Sequence, residues 1–165
     1  MAKKWLSTVL GIGALVLAVG RVAGDDVTKE KSVPFEQHSG YFESNKSGLK
    51  GPASYLVFTD KADFDKVLGV AFTMGRRPNV LPRDAFKTRM VVAVIKRGDS
   101  IWTYKVEKAT EKEGVLTVAY QATSKGGGET ARFASPLIVS LGKGNYTSVV
   151  FVENGKKVET LKVSK

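Results

Sequence analysis

Cysteine is absent from this 165-residue chain, and histidine occurs once, at His38. The first absence excludes a disulfide scaffold, a thiolate metal site, a cysteine nucleophile and a cysteine-linked lipid anchor. The second excludes a multi-histidine metal centre, and any Ser/His/Asp triad must use His38 itself. Acidic residues are also scarce: 16 Asp and Glu stand against 26 Lys and Arg, a net charge of +10. What is present suits one ordinary globular domain. The chain is 42% hydrophobic and 25% charged, too apolar for a disordered polymer.

The N-terminus reads as an export signal. Lys3 and Lys4 precede a charge-free stretch from Trp5 to Gly20, and Arg21 ends it. That stretch is short of the roughly 20 residues needed to span a bilayer core. Val22-Ala23-Gly24 then offers small residues for cleavage before Asp25. Residues 1–24 are thus expected to be a signal peptide, with cleavage after Gly20 or retention as a signal anchor as alternatives. Cleavage after Gly24 removes Lys3, Lys4 and Arg21 and no acid. It leaves 23 of the 26 basic residues and all 16 acidic ones, a net +7. The address is periplasmic or extracellular. Nucleic acid is a poor partner there, and anionic surface polymers or acidic proteins are better ones.

Residues 25–32 are charged and aperiodic, a flexible leader to a single domain over 33–165. A loose alternation from Val33 to Tyr41 permits an early strand, and Ser44 to Pro52 is a loop by composition. Ala53 to Thr59 favours a strand. One short helix is expected near residues 60–68. Asp60 or Thr59 can cap it, Phe64, Val67 and Leu68 share a face, and Gly69 can end it. Met90 to Ile95 is an unbroken, β-branched apolar run, the pattern of a strand buried on both faces. Trp102, Tyr104 and Val106 alternate with polar residues, as do Leu116, Val118, Tyr120 and Ala122, so a hairpin joins them. Leu137, Val139 and Leu141 mark another strand. Asn154-Gly155 is the preferred type I′ hairpin turn, and a two-residue loop pairs Glu153 with Lys156, Phe151 with Val158 and Val149 with Thr160. The fold class is mainly β, an antiparallel sandwich or partly open barrel with one short helix.

Chemistry-bearing motifs are few. His38 reads as a surface histidine. Asp60, Asp63 and Asp65 lack the glycine and terminal glutamate of a calcium loop, and helix capping explains them better. Gly126-Gly127-Gly128, between Lys125 and Glu129, lacks the Walker pattern and reads as a loop between strands that can touch a partner. Arg76, Arg77 and Arg83 form the densest basic region and can grip carboxylates or phosphates. Nothing in these patterns calls for a metal or another cofactor.

From about Tyr55 to Phe151 the chain resembles the C-terminal domain of the PrcB family, secreted bacterial proteins named for a protease-complex subunit. Asp84-Ala85-Phe86 before Met90-Val91-Val92-Ala93-Val94 carries the resemblance, with Gly98, the two alternating strands and Ser135-Pro136-Leu137-Ile138-Val139. One departure is Ser100-Ile101-Trp102-Thr103-Tyr104, where family members carry a Gly-Gly-Tyr-type turn. The resemblance implies a non-catalytic exported β domain that stabilises or modulates a protease or another exported protein. Two other classes compete with it. One is a basic cell-wall or surface protein that binds anions through Arg76, Arg77 and Arg83. The other is a small hydrolase using carboxylates such as Asp84 and Glu129.

The address is open to direct measurement. Intact mass of the protein from its native host should place the N-terminus near Asp25, and a full-length cytoplasmic species would overturn the export assignment.

Overall fold

The run Met90–Ile95 is buried along its whole length, with no residue more than 2% exposed. Both faces of that strand must therefore be covered, and the rest of the chain supplies the two covers. The computed structural model describes residues 29–71, 78–126 and 131–163. In chain order the elements are β1 (Lys31–Ser32), β2 (Phe35–His38), β3 (Tyr41–Glu43), β4 (Ala53–Phe58), helix α1 (Lys61–Val67) and β5 (Leu68–Val70). Then come β6 (Arg89–Gly98), β7 (Ser100–Lys112), β8 (Val115–Gly126), β9 (Phe133–Gly142), β10 (Ser148–Glu153) and β11 (Lys156–Lys162). A single 3-10 turn, Ala85–Lys87, leads into β6. The protein is mainly β, as its patterning predicts. Among the described residues no helix is long and apolar enough to cross a membrane.

The strands form two large sheets, in the orders β1-β7-β8-β10-β11 (sheet A) and β2-β9-β6-β4 (sheet B), plus the pair β3-β5. Sheets A and B face each other across the main core. Met90, Val92 and Val94 point into it from β6, Leu137, Val139 and Leu141 from β9, and Leu116, Val118, Tyr120, Val149 and Phe151 from sheet A. The opposite face of β6 carries Val91, Ala93 and Ile95, which pack with Ile138, Phe58, Phe64 and Leu68 in a second core. The Phe64 ring from α1 lies 5.4 Å from Phe58, 5.3 Å from Tyr41 and 5.5 Å from Phe86, all tilted or edge-on. Such geometries favour aromatic pairs. The result is a sandwich whose sheet B has a third, partial layer of α1 and β3-β5.

Both expected hairpin turns are of the type I′ kind. Glu113 and Gly114 have φ of 53° and 78°, and Asn154 and Gly155 have 50° and 78°. The Asn154 side chain also accepts from Ala122 N–H at 2.9 Å and donates to its carbonyl at 3.1 Å, so the turn continues the ladder beyond β10.

Five features depart from the expectations. β10 runs parallel to β8, because β9 between them in sequence belongs to sheet B and turns the chain back. Bulges in β7 (between Val106 and Lys108) and in the last hairpin shift the registers. As a result Phe151 faces Glu159, Val149 faces Leu161, and Val158 is 39% exposed. Only Glu153 with Lys156 keeps the expected pairing. Lys31 and Ser32, expected in the leader, pair with Glu111 and Thr110 of β7. The region 33–41 holds β2 and the start of β3 rather than one strand, broken at Gly40, whose φ is 79°. Helix α1 stops at Val67, and Gly69 lies in β5, where an added Cβ would come within 2.5 Å of the Phe42 ring.

Trp102 and Tyr104 line the core but are half-buried, whereas the Phe151 ring is fully buried. Phe151→Ala, at a site with no exposure, should cost about 3–5 kcal/mol in chemical denaturation, and Trp102→Ala clearly less. Equal losses at the two positions would refute this division of the core.

Candidate functional site

Three polar constellations stand out. The first lies on the outer face of sheet B. Because β9 is buried on both faces, its even positions need partners as its odd ones do, and Ser140 is such a position. Its hydroxyl is 2.8 Å from His38 Nε2; Ser140 has no exposure and His38 is 4% exposed. Arg89 bonds the Ser140 carbonyl and Glu36, both at 3.4 Å. The Asn79 side chain donates to Glu36 and to the Gln37 carbonyl, at 3.3 and 3.0 Å. His38 Nδ1 and Arg89 Nε, both buried, make no hydrogen bond of normal geometry. Burial pushes the imidazole below its ordinary value near 6.5, against the opposing pull of Glu36 and the Asn79 backbone, while Arg89 adds to the lowering. The expectation of a surface histidine is thus corrected. A Ser/His pair exists, but a serine with no exposed surface cannot meet a substrate.

The second constellation closes one end of the core. Lys96 on β6 pairs with Glu153 on β10, and both side chains are at most 14% exposed. Glu153 also accepts from the Tyr120 hydroxyl at 3.0 Å. The Lys96 amine sits 3.8 Å from the centroid of the Trp102 ring, a cation–π contact. Tyr104 donates to the Ser135 carbonyl at 2.8 Å. Burial raises both Tyr120 and Tyr104 far above the ordinary phenol value, and the Glu153 carboxylate adds to it. These hydroxyls stay protonated and serve as donors. Each charge here is answered by another group of the set, so the arrangement fastens sheet A to sheet B.

A related clamp holds β3 onto sheet B. Arg97 grips Glu43 through two nitrogens at 2.6 and 2.8 Å and also donates to Ser54 and to the Gly51 carbonyl. Burial alone would raise the Glu43 carboxyl. The bonds from Arg97 and Ser47 outweigh it and hold the group below its ordinary value.

The third constellation is the outer face of sheet A. Lys105, Lys108 and Lys112 on β7, Lys125 on β8, and Lys157 and Lys162 on β11 are all exposed, and the strand registers place them on this one face. Sheet B has no counterpart, since its outer face is covered by α1 and β3-β5.

The expected site residues are scattered. Arg83 is exposed in the turn before Ala85, beside Lys61, Asp84 and Lys143. Lys125 and Gly126 are exposed at the end of β8, where Gly126 pairs with Ser100. The ten residues of β6 separate these places, about 30 Å, so one small ligand does not touch both. Arg76, Arg77, Gly127, Gly128 and Glu129 lie outside the described residues. Asp60 accepts from Asp63 N–H at 2.9 Å as the helix cap, and Asp63 and Asp65 pair with Lys66 and Lys61. Among the described residues no three His, Asp or Glu side chains gather as a metal site would require. Asp84 is exposed and carries no cap bond to the turn it precedes. No family model, curated protein or solved structure matches the chain.

His38 makes stability pH-dependent. Its folded-state value is depressed, so its contribution is fully present above about pH 6.5 and is lost as pH falls below that. Urea denaturation should show lower stability at pH 5 than at pH 7.5, and His38→Gln should shrink that difference. An unchanged difference in the variant would remove His38 as its source.

Proposed function

We propose that this chain is an exported, non-catalytic binding module that works through the outer face of sheet A. The observation that carries this reading is the contrast between the two outer faces. Sheet B is covered by α1 and β3-β5, whereas sheet A presents a face with no such layer packed on it among the described residues. The polar groups best suited to chemistry are committed to holding strands together: His38 to Ser140, Lys96 to Glu153, and Arg97 to Glu43. A rigid scaffold with one open face suits docking better than turnover.

The resemblance to PrcB-type domains supports a protein partner, an exported protease or another exported protein. A second reading, a surface protein that binds anions, draws support from the lysines of the same face. The loop at Arg83 is a secondary contact in either case, because it lies at the far end of the sandwich from Lys125.

Crosslinking the exported protein in native culture, followed by pull-down at low and high salt, tests the module. Recovery of one specific protein at both salt levels supports the protein-docking form. Turnover of a substrate, abolished by a single carboxylate substitution such as Asp84→Asn that leaves folding intact, would defeat the module reading.

A further inference from the structure

We infer that the outer face of sheet A is built to hold a linear phosphate-bearing polyanion, laid along the strands between two lines of lysine. The inference rests on the module reading for its choice of face and goes beyond it in naming the ligand chemistry. The register sets the geometry. Lys108, Ala119, Val152 and Lys157 form one row across β7, β8, β10 and β11. Thr110, Thr117, Val150 and Thr160 form the next, and Lys112, Val115, Ser148 and Lys162 the one after. Three strand spacings separate the β7 lysines from the β11 lysines, about 14 Å. Successive rows are two residues apart on β7, β8 and β10, about 7 Å along the strands, and the bulge adds one residue on β11 between Lys157 and Thr160. Two lysine walls therefore flank a floor in which Ala119 is buried and Thr117, Val150 and Val152 are half-buried.

The charge on this face is one-sided. None of the six lysines forms an ion pair among the described residues. The acids near it are Glu107, which accepts from the Gln121 side chain at 2.7 Å, Glu30, which accepts from the Thr110 hydroxyl at 2.5 Å at the margin, and Glu113 in the turn at the end of the β7 line. Such a face gathers anions, and its parallel walls favour a chain over a compact ion.

The residue types fit phosphate. Lysine is a compact, strongly hydrated point charge that binds phosphate oxygens without a fixed approach, as a flexible chain of phosphates requires, and these rows hold no arginine fork that would impose a planar, bidentate geometry. Hydroxyls of Thr117 and Thr160 offer further donors from the floor. A lipid surface fits less well. Ile101, at one corner of the face, is its only strongly exposed large apolar side chain besides the bulged Val158 among the described residues, so little is available to insert.

Inorganic polyphosphate of defined chain length is the probe, titrated calorimetrically into the purified exported protein across a salt series. Binding should weaken with salt at a log–log slope near −3, about 0.7 for each of four neutralised charges. The double variant Lys108→Glu/Lys157→Glu should weaken binding at least tenfold. A control with the same change in net charge, Lys50→Glu/Lys87→Glu on other surfaces, should weaken it less than threefold. Thermal melts of both variants should stay near the parent, since all four sites are exposed. Equal weakening by the two double variants would overturn the proposal and leave only the net charge of the molecule. So would absence of binding at low salt, or equal affinity for anionic vesicles with the same sensitivity to Lys108→Glu/Lys157→Glu. Failure here with a specific protein still recovered by crosslinking would leave the module standing and remove only the polyanion.

Discussion

The constraint on which everything else depends is the burial of β6 on both faces. A strand reading Met-Val-Val-Ala-Val-Ile has no side that water can wet, so the domain needs two cores and three layers. Sheet A covers one face of that strand. The other is covered by α1, β3-β5 and the segment around Phe86, short elements that could not stand alone. Two side chains at the C-terminal end of β6 then tie it in place. Lys96 reaches inward to Glu153 on sheet A, and Arg97, one residue on, reaches outward to Glu43 on β3. Adjacent residues on a pleated strand point to opposite faces, so one strand fastens both layers.

Much of this was legible in the sequence because it follows from periodicity. The two-faced run, the alternating strands, the Asp60 cap and the Asn154-Gly155 turn all express local rules, and each holds. What escaped was non-local. Sequence alone does not tell that β9 leaves sheet A's neighbourhood for sheet B, and the parallel pairing of β8 with β10 follows from that choice. The bulges also escaped, since an extra residue in a strand breaks no alternation until the partner is known. That is why Val158 was expected opposite Phe151 and Glu159 stands there instead.

The site was less legible than the fold. In sequence the basic residues cluster at Arg76, Arg77 and Arg83. The lysines of sheet A cluster only in space, drawn from three strands and spread over nearly sixty residues. A signal was nevertheless present: lysine recurs on the polar side of the Trp102 strand at Lys105, and again at Lys157 and Lys162 in the last strand. The burial of His38 is non-local in the same way. Its partner Ser140 lies 102 residues away, and the one hint was a polar residue within a strand otherwise apolar from Leu137 to Leu141.

The parallel contact between β8 and β10 has a consequence for how the chain reaches this state. The hairpins β7-β8 and β10-β11 each close over two residues and can form locally within microseconds. They cannot join in sheet A until β9 has crossed to sheet B and returned, and β9 in turn finds β2 about a hundred residues upstream. Loop closure of that span must precede its reward, which is the signature of slow topologies. Of the described elements the C-terminal hairpin is also the last to be synthesised. A chain still being made holds its main core open until that hairpin arrives. Completion of the segment Ser148–Lys162, rather than of the helix or of sheet B, is the step that covers Leu116, Val118 and Tyr120 and takes their apolar surface out of reach of other chains.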